Sequence, residues 1–485
     1  MAPDPSSASG VALALVRASA ALEPVAPLLA ELGERFGGAG FRIALVGGPV
    51  RDALLGRLSP DADLDFTTDA RPDQILGLLQ GWADAVWDVG IAFGTIGARV
   101  HGRDVEITTY RAESYDPASR KPEVEFGDTL EGDLGRRDFT VNAMALTLPD
   151  RVFVDPFEGL MDLDKGILRT PGLAVDSFDD DPLRMMRAAR FSAQLGFEVD
   201  PEVVQAMTDR AERLSIISAE RMRDELVKIV MSSNPRAGLT LLVDTGLAEF
   251  VLPELPLLRL EADEHHHHKD VYEHTLTVLE QAMLLEQMHE PISGPDSVLR
   301  LAALLHDIGK PRTRRFEEDG RVSFHHHEVV GARMTRKRMQ KLRFSNDMTD
   351  DVSKLVELHL RFHGYGTGEW TDSAVRRYVR DAGPLLDRLH KLTRADCTTR
   401  NRKRAAALQR SYDSLERRIA ELQEQEELDA IRPDLDGGQI MQILGIPPGP
   451  VVGEAYRFLL DLRLDRGPLG EDSAREALLA WWAAR

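Results

Sequence analysis

Two aspartates one residue apart, Asp63 and Asp65, close the stretch VGGPVRDALLGRLSPDADLDF, which opens on a glycine pair, Gly47 and Gly48. Residues two apart on a strand point to the same side. Two ionised carboxylates held that close repel each other unless a cation lies between them. Oxygen donors suit Mg2+, which fills its remaining positions with water and substrate phosphates. Glu106, in VEITTYR, offers a third carboxylate. The glycines let a ligand approach the backbone, and the helix N-terminus beginning at Pro49 offers unpaired N–H groups to phosphate, with Arg51 adding charge. Alone, an Asp-x-Asp pair is a turn with helix caps. The whole set reads as a triphosphate at the glycine turn and a metal on the acids.

The elements that must position these residues follow from periodicity. FRIALV and ADLDFTT read as strands, AVWDVG as another, and GTIGARV with VEITTYR as a hairpin turning on His101-Gly102-Arg103-Asp104. Residues 11–36 read as one amphipathic helix behind a short disordered tail. Residues 112–128 are polar and contain proline, the composition of a mobile loop. After 176 the pattern is almost wholly helical, with a break over 254–272. Leu408, Tyr412, Leu415, Ile419 and Leu422 form a two-heptad stripe within a helix over 402–428, expected to pack on its own chain rather than to make a dimer seam. The fold class is α+β: a mixed-sheet head followed by all-α regions.

Composition bounds the partners. The chain has 485 residues and a formal net charge of −20, which by itself disfavours a polyanion. Any nucleic-acid contact must use local patches, such as the six Lys/Arg of 331–345 or the arginine row Arg184, Arg187 and Arg190. A single cysteine, Cys397, excludes an intrachain disulfide and fits a reducing compartment. No apolar run approaching the roughly 18 residues of a membrane span is read in the sequence, and MAPDPSSASG lacks the basic start of a secretion signal. A cytoplasmic protein without a membrane partner is expected.

Four motifs in order, GGPVRD…DADLDF, GTI…VEITTYR, DLGRRDFTVNAMA and DDPLRMMRAARFSAQLGF, resemble the class II tRNA nucleotidyltransferases, the CCA-adding enzymes and their bacterial poly(A) polymerase relatives. The resemblance implies template-independent addition of CCA to the 3′ end of tRNA from CTP and ATP. Asp63 and Asp65, with Glu106, would serve catalysis and hold two Mg2+ ions. Arg136, Arg137 and Asp138 would contact triphosphate and ribose, with Asn142 ordering that region. Asp180, Asp181 and Arg184 match a family pattern that usually begins with Glu, and would choose the base. A carboxylate accepts from the cytosine amino group and a guanidinium donates to ring acceptors. Asp181 and Arg184, three apart, would project from neighbouring positions on a helix. SAERMRDELVKIV would brace this neck.

Downstream, His274 in VYEHTL, His306-Asp307 in LLHDIGK, and Asp396 in TRADC look like the H…HD…D constellation of HD phosphohydrolases, and His327 and His359 match two further histidines used for a second metal. Imidazole with carboxylate suits Mn, Fe, Ni or Zn better than Mg. Such a site makes a nucleophile of bound water, and Lys310 is placed for phosphate. The run His265 to His268 is a polar linker without an assigned role. The tail, GGQIMQILGIPPGPVVGEAYRFLLDLRL, is similar to the family's C-terminal tRNA-gripping segment.

The expected organisation is a tail and helix over 1–40, a nucleotidyltransferase head over 41–175, a helical neck over 176–255, an HD domain over 265–400 and a tRNA-binding tail over 401–485. The partners would be tRNA, ATP and CTP, with the chain a monomer or homodimer. The alternatives are a poly(A) polymerase, an enzyme adding only CC or only A, and an HD phosphohydrolase with a non-catalytic head. Against the first, no Gly-Arg-Arg-Phe run occupies GTIGARV and the chain ends in ALLAWWAAR rather than a basic tail. Against the last, the acids and arginines of the head are intact.

Overall fold

The computed structural model describes residues 5–88, 90–114, 123–259, 270–318, 322–362, 371–397, 402–426 and 432–485. The chain divides into two compact units, Met1–Val251 and Leu252–Arg485. Among the described residues, nine strands build the main sheet and a ribbon in the head of the first: β1 (Ile43–Val46), β2 (Leu64–Thr68), β3 (Ala85–Trp87), β4 (Thr95–Val100), β5 (Arg103–Thr109), β6 (Arg111–Ser114), β7 (Glu123–Phe126), β8 (Ala145–Leu148) and β9 (Val152–Val154). Seven form one sheet in the order β3-β4-β5-β2-β1-β8-β9, in which only β2 and β5 run parallel. That parallel register sets Asp65 directly beside Glu106. β1 is apolar and fully buried, as a central strand requires.

Two local expectations are corrected here. The β4–β5 turn is only His101-Gly102, both with positive φ (52° and 75°), while Arg103 and Asp104 already pair with Val100 and Arg99. A two-residue hairpin turn of this hand matches strand twist, and the glycine makes it accessible. The ends of the 112–128 segment are not loop: β6 and β7 pair as an antiparallel ribbon. The mobility expected of this segment falls on 115–122, outside the described residues.

Helices α1 (Pro5–Leu22) and α2 (Ala26–Gly38) replace the single helix expected over 11–36, and described backbone is already helical at Pro5. The break is a 3-10 turn at Glu23–Val25. Pro24 lacks the N–H that would continue the ladder and starts the turn instead. By composition Ala12–Gly38 is long and apolar enough to cross a membrane. Its second half has another use: Leu28, Leu29, Leu32 and Phe36 are buried, and α2 packs on β1 and β8.

Around and after the sheet come α3 (Gly48–Leu54), α4 (Pro72–Leu79), α5 (Leu130–Gly135), α6 (Gly159–Lys165), α7 (Ala174–Asp180), α8 (Leu183–Leu195), α9 (Pro201–Arg210), α10 (Ala219–Val230), α11 (Pro235–Asp244) and α12 (Ala248–Val251). α8 carries the arginine row and is gripped from behind by α10 and α11. Met185, Met186, Ala188 and Ala189 form its buried side. Gly238 on α11 allows this approach, since a Cβ there would lie 2.7 Å from the Ala189 carbonyl oxygen.

The second unit is helical, with α13 (Val271–Met288), α14 (Ser297–Leu305), α15 (Lys310–Thr313), α16 (His327–Lys341), α17 (Asn346–Leu358), α18 (Asp372–Ala382), α19 (Leu386–Ala395) and α20 (Arg402–Glu426). In α20, Tyr412, Leu415, Ile419 and Leu422 are buried within the chain itself, and the Tyr412 hydroxyl donates to the Thr393 carbonyl at 2.9 Å. The stripe therefore serves internal packing. Helices α21 (Gly437–Leu444), α22 (Pro450–Arg466) and α23 (Glu471–Ala483) close on a small core of Leu435, Ile440, Ala455, Leu459, Ala474 and Leu478. The His265 to His268 run lies outside the described residues.

Candidate active site and metal centre

In the first unit, the middle of the sheet around β2 and β5, the α3 N-terminus and α8 line a cavity of about 560 Å³. Its lining includes Gly47, Gly48, Arg51, Asp65, Glu106, Arg136, Arg137, Asp138, Asn142, Asp181, Arg184, Arg187 and Arg190, so residues dispersed over 144 positions converge on one space. Asp63 and Asp180 are the two expected residues that do not line it. Asp63 is exposed and sits one residue before β2 begins, so the shared strand face holds for Asp65 and not strictly for Asp63. Asp180 ends α7.

Gly47 turns the chain from β1 into α3 with φ of 73°, and a Cβ there would lie 3.1 Å from Arg137 Nη1. Both facts require glycine. Asp65 is half-buried, and burial pushes its carboxyl up to about 6. Arg137 opposes that rise, while Glu106 and Asp63 add to it. The acids thus form a site that favours a proton or a cation over bare charge. Their donors are all oxygen, which fits a hard divalent ion. Among the described residues, however, the groups of three or more metal-ligating side chains whose donor atoms converge within 4.8 Å are all in the second unit.

The arginines are held, not loose. Arg51 donates from Nη1 to Asn142 Oδ1 at 2.7 Å and from Nε to Asp52 at 2.8 Å. Asn142 in turn donates to Asp138 Oδ1 at 3.0 Å. Asp138 is buried and pairs with Arg187 Nη2 at 2.6 Å. Burial opposes ionisation of Asp138, but Arg187 and the Asn142 bond hold it below the usual carboxylate range. Arg190 pairs with Glu225 of α10 at 3.0 Å.

Asp181 and Arg184, the pair expected to choose the base, are placed differently from expectation. Asp181 is not on a helix with Arg184. It is extended (φ −137°, ψ 99°) in the turn before Pro182, and only Arg184 lies in α8. A residue preceding proline is driven out of the helical region. The Asp181 carboxylate accepts from the Leu183 backbone N–H at 3.1 Å and from Arg221 at 3.2 Å. Arg184 donates to Ser177 Oγ at 2.9 Å and to the Arg136 carbonyl at 2.5 Å.

Sequence reading passed over several residues at this site. Phe191 lines the cavity with the guanidinium of Arg190 4.3 Å above its ring, and those of Arg51 and Arg187 at 5.3 and 5.8 Å. Thr95, Thr108, Arg111 and Gln194 also line it. Behind the arginine pair sits Asp133, fully buried. Its visible signal was the spacing in DLGRR, three and four residues before Arg136 and Arg137.

In the second unit, two triads meet: His274, His306 and Asp396, and Asp307, His327 and His359. Nδ1 of His306, His327 and His359 lies 2.7–2.8 Å from the carbonyls of Ala303, Phe324 and Val356, respectively. Each ring is thereby fixed with Nε2 free to face inward, the orientation a metal-ligating histidine needs. His306 Nε2 and His274 Nε2 lie 3.4 Å apart, and His274 Nε2 is 3.0 Å from Asp396 Oδ1. His359 Nε2 is buried without a hydrogen-bond partner, a cost an ion would remove. Burial, reinforced by His306, pushes His359 down to about 3, which keeps it a neutral ligand. Asp307 stays well below the usual range despite burial because His306 and Lys310 surround it, with Lys310 Nζ at 2.6 Å. All six expected residues are brought together.

Three family models match the chain: the poly A polymerase head domain over 43–169, the probable RNA and SrmB-binding site of polymerase A over 196–258, and the HD domain over 271–401. An A-adding tRNA nucleotidyltransferase of Deinococcus radiodurans is 36% identical over 448 residues, covering 91% of this chain and 95% of that one. The chain belongs to the tRNA nucleotidyltransferase family. A CCA-adding enzyme of Lactiplantibacillus plantarum is 43% identical over 214 residues, 44% of this chain and 51% of its own length. Among solved structures, the Bacillus stearothermophilus CCA-adding enzyme in complex with CTP is similar with a TM-score of 0.68 and 25% identity, over 96% of this chain and 98% of that one. The Thermotoga maritima CCA-adding enzyme complexed with tRNA shares the fold (TM-score 0.58, 18% identity) over 94% and 95%. The nucleotidyltransferase family and the HD domain imply divalent metals, and both donor sets above suit them.

Proposed function

We propose that this nucleotidyltransferase completes CCA on tRNA 3′ ends from CTP and ATP in the head cavity. The observation that carries this reading is Asp65 beside Glu106 on adjoining strands, facing Arg136, Arg137 and the Gly47 turn across one space. Asp65, Glu106 and the rim residue Asp63 would hold Mg2+. When bound there, such an ion would supply charge to neutralise the triphosphate and to acidify the attacking hydroxyl. Arg136 and Arg137 bind phosphate oxygens and keep pyrophosphate in line as the RNA 3′ oxygen takes its place on the α-phosphorus. Asp138, through Arg187 and Asn142, keeps this wall ordered. Asp181 and Arg184 present acceptor and donor to the base, Asp181 from a rigid turn rather than from a helix face.

In the HD site, His274, His306, Asp307, His327, His359 and Asp396 would hold a transition metal, with Lys310 meeting a substrate phosphate. A phosphohydrolase activity on phosphate esters is proposed there, separate from incorporation.

A second reading, addition of the terminal A alone, is favoured by one observation: the relative matched along 91% of this chain bears the name A-adding. Purified protein given tRNAs ending before CCA, after C and after CC, each with one labelled nucleoside triphosphate, decides. Ordered C, C, A incorporation supports the first reading, and A on the CC-ended tRNA alone supports the second. Long A tails, or no incorporation, would refute both. Asp63→Ala with Asp65→Ala should abolish incorporation and leave tRNA binding largely intact, because phosphate contacts dominate affinity.

A further inference from the structure

Asp133 lies within α5, three residues before Arg136, with no solvent exposure, under the arginine pair and against Thr67 of β2. A buried carboxylate must find partners for the acceptor sites of two oxygens. Here five donor groups surround it. Oδ1 accepts from Arg136 Nε at 3.2 Å and Nη2 at 2.9 Å, and from the Arg111 backbone N–H at 3.2 Å. Oδ2 accepts from Arg137 Nη2 at 3.2 Å and from Thr67 Oγ1 at 3.1 Å, a hydroxyl whose single proton is shared with the Thr108 carbonyl at 3.2 Å. Arg137 and Arg136 hold the carboxyl below its ordinary range against the opposing pull of burial.

The identity of these donors matters more than their number. Thr67 stands two residues after Asp65 on β2, on the same face of the strand. Arg111 opens β6, where the ribbon leaves the sheet. Arg136 and Arg137 form the opposite wall of the cavity. One carboxylate therefore fixes the distance between the strand bearing the acid and the two guanidiniums, and it does so without reaching the cavity lining itself.

We infer that Asp133 is the positioning residue for the triphosphate: it holds Arg136 and Arg137 in register with Asp65 by anchoring both to Thr67. The inference rests on the nucleotidyl-transfer reading above. Without the anionic charge, each guanidinium regains side-chain freedom and must be ordered by the incoming phosphates, which weakens binding of anything carrying them. The tRNA body makes no use of this anchor, so its affinity is unaffected.

The test measures steady-state incorporation on a CC-ended tRNA by the full chain, with ATP varied, then tRNA varied, and with pyrophosphate as product inhibitor. In Asp133→Asn the KM for ATP and the inhibition constant for pyrophosphate should rise together by about tenfold or more, the scale of one lost charged hydrogen bond. The KM for tRNA should stay within about twofold. Thr67→Val, which removes one neutral anchor and preserves volume, should raise the same two constants by about twofold to tenfold. Should Asp133→Asn fail to fold, Thr67→Val carries the test alone. Unchanged ATP and pyrophosphate constants in a folded variant, or tRNA and ATP constants rising in parallel, overturn the inference. A wild-type chain that incorporates nothing overturns the proposed function and this inference with it, a result distinct from an active wild type with indifferent variants.

Discussion

Neutralising Asp65 should stabilise the metal-free protein while destroying its activity. Burial, with Glu106 and Asp63 nearby, raises the Asp65 carboxyl from 3.8 to about 6 in the folded state. A raised acid is protonated more readily when folded, so its native state binds more protons between about pH 4 and 6. Stability attributable to this group is present at low pH and is lost as pH rises through that window. Above it, the ionised form costs about 3 kcal/mol at 1.36 kcal/mol per pKa unit. Partial solvation of a half-buried group reduces that to about 1–2 kcal/mol. For a unit of roughly 250 residues, each kcal/mol moves Tm by about 2–4 °C. In EDTA at pH 7.5, Asp65→Asn should therefore melt about 3–6 °C above wild type by differential scanning calorimetry. The gap should close towards pH 4. Adding Mg2+ should raise the wild-type Tm and leave the variant unmoved. A variant that melts with or below wild type in EDTA at pH 7.5, or a gap independent of pH, would show that these acids do not form a cation-seeking site.

His306→Ala with Asp307→Ala should lose bound transition metal by elemental analysis and any phosphatase activity, while nucleotide incorporation continues. Gly47→Ala, forced into positive φ against Arg137, should cost about 1–2 kcal/mol of stability and raise the KM for nucleotide, measured by calorimetry and incorporation. Tyr412→Phe should lower stability of the second unit by about 1 kcal/mol in urea titration, through loss of the bond to Thr393.

Strand alternation aimed Asp65 and Glu106 to one side, because β2 and β5 carry them in register. Arg136, Arg137 and the His/Asp set of the second unit were legible only as motifs, since Arg136, Arg137, His306, Asp307, His359 and Asp396 stand in turns just past helix ends where no period fixes direction. What escaped depended on proline and on burial. Pro24 split the first helix and Pro182 pulled Asp181 off α8, although the residue before each proline is restricted by rule. The hydrophobic period ran through both and outweighed the break. Phe191 and Asp133 lie inside the quoted motifs without drawing a reading of their own. Their place at the site depends on long-range convergence, of α8 on the sheet and of α5 on β2, which no local pattern encodes. The ribbon β6–β7 was invisible for a related reason: its strands are four residues each, below the length at which alternation is distinguishable from a polar loop.

The chain carries a net charge of −20 and yet belongs to a family that handles a polyanion. The cavity resolves the tension locally. Seven arginines line it: Arg51, Arg111, Arg136, Arg137, Arg184, Arg187 and Arg190. Arg51, Arg136, Arg137, Arg187 and Arg190 each pair with an acid of the same unit. Such pairing has a cost in attraction at long range, since a neutralised wall steers a polyanion weakly. It also has a gain. Guanidiniums fixed by Asp52, Asp133, Asp138 and Glu225 lose little freedom when phosphate arrives. An acidic surface with pre-ordered arginines in one cleft then repels duplex RNA generally while admitting a 3′ end and a triphosphate. On that argument the salt dependence of tRNA affinity should be shallow, and the salt dependence of nucleotide KM shallower still, because Arg136 and Arg137 already have the Asp133 carboxylate as their fixed counterion before the nucleotide enters.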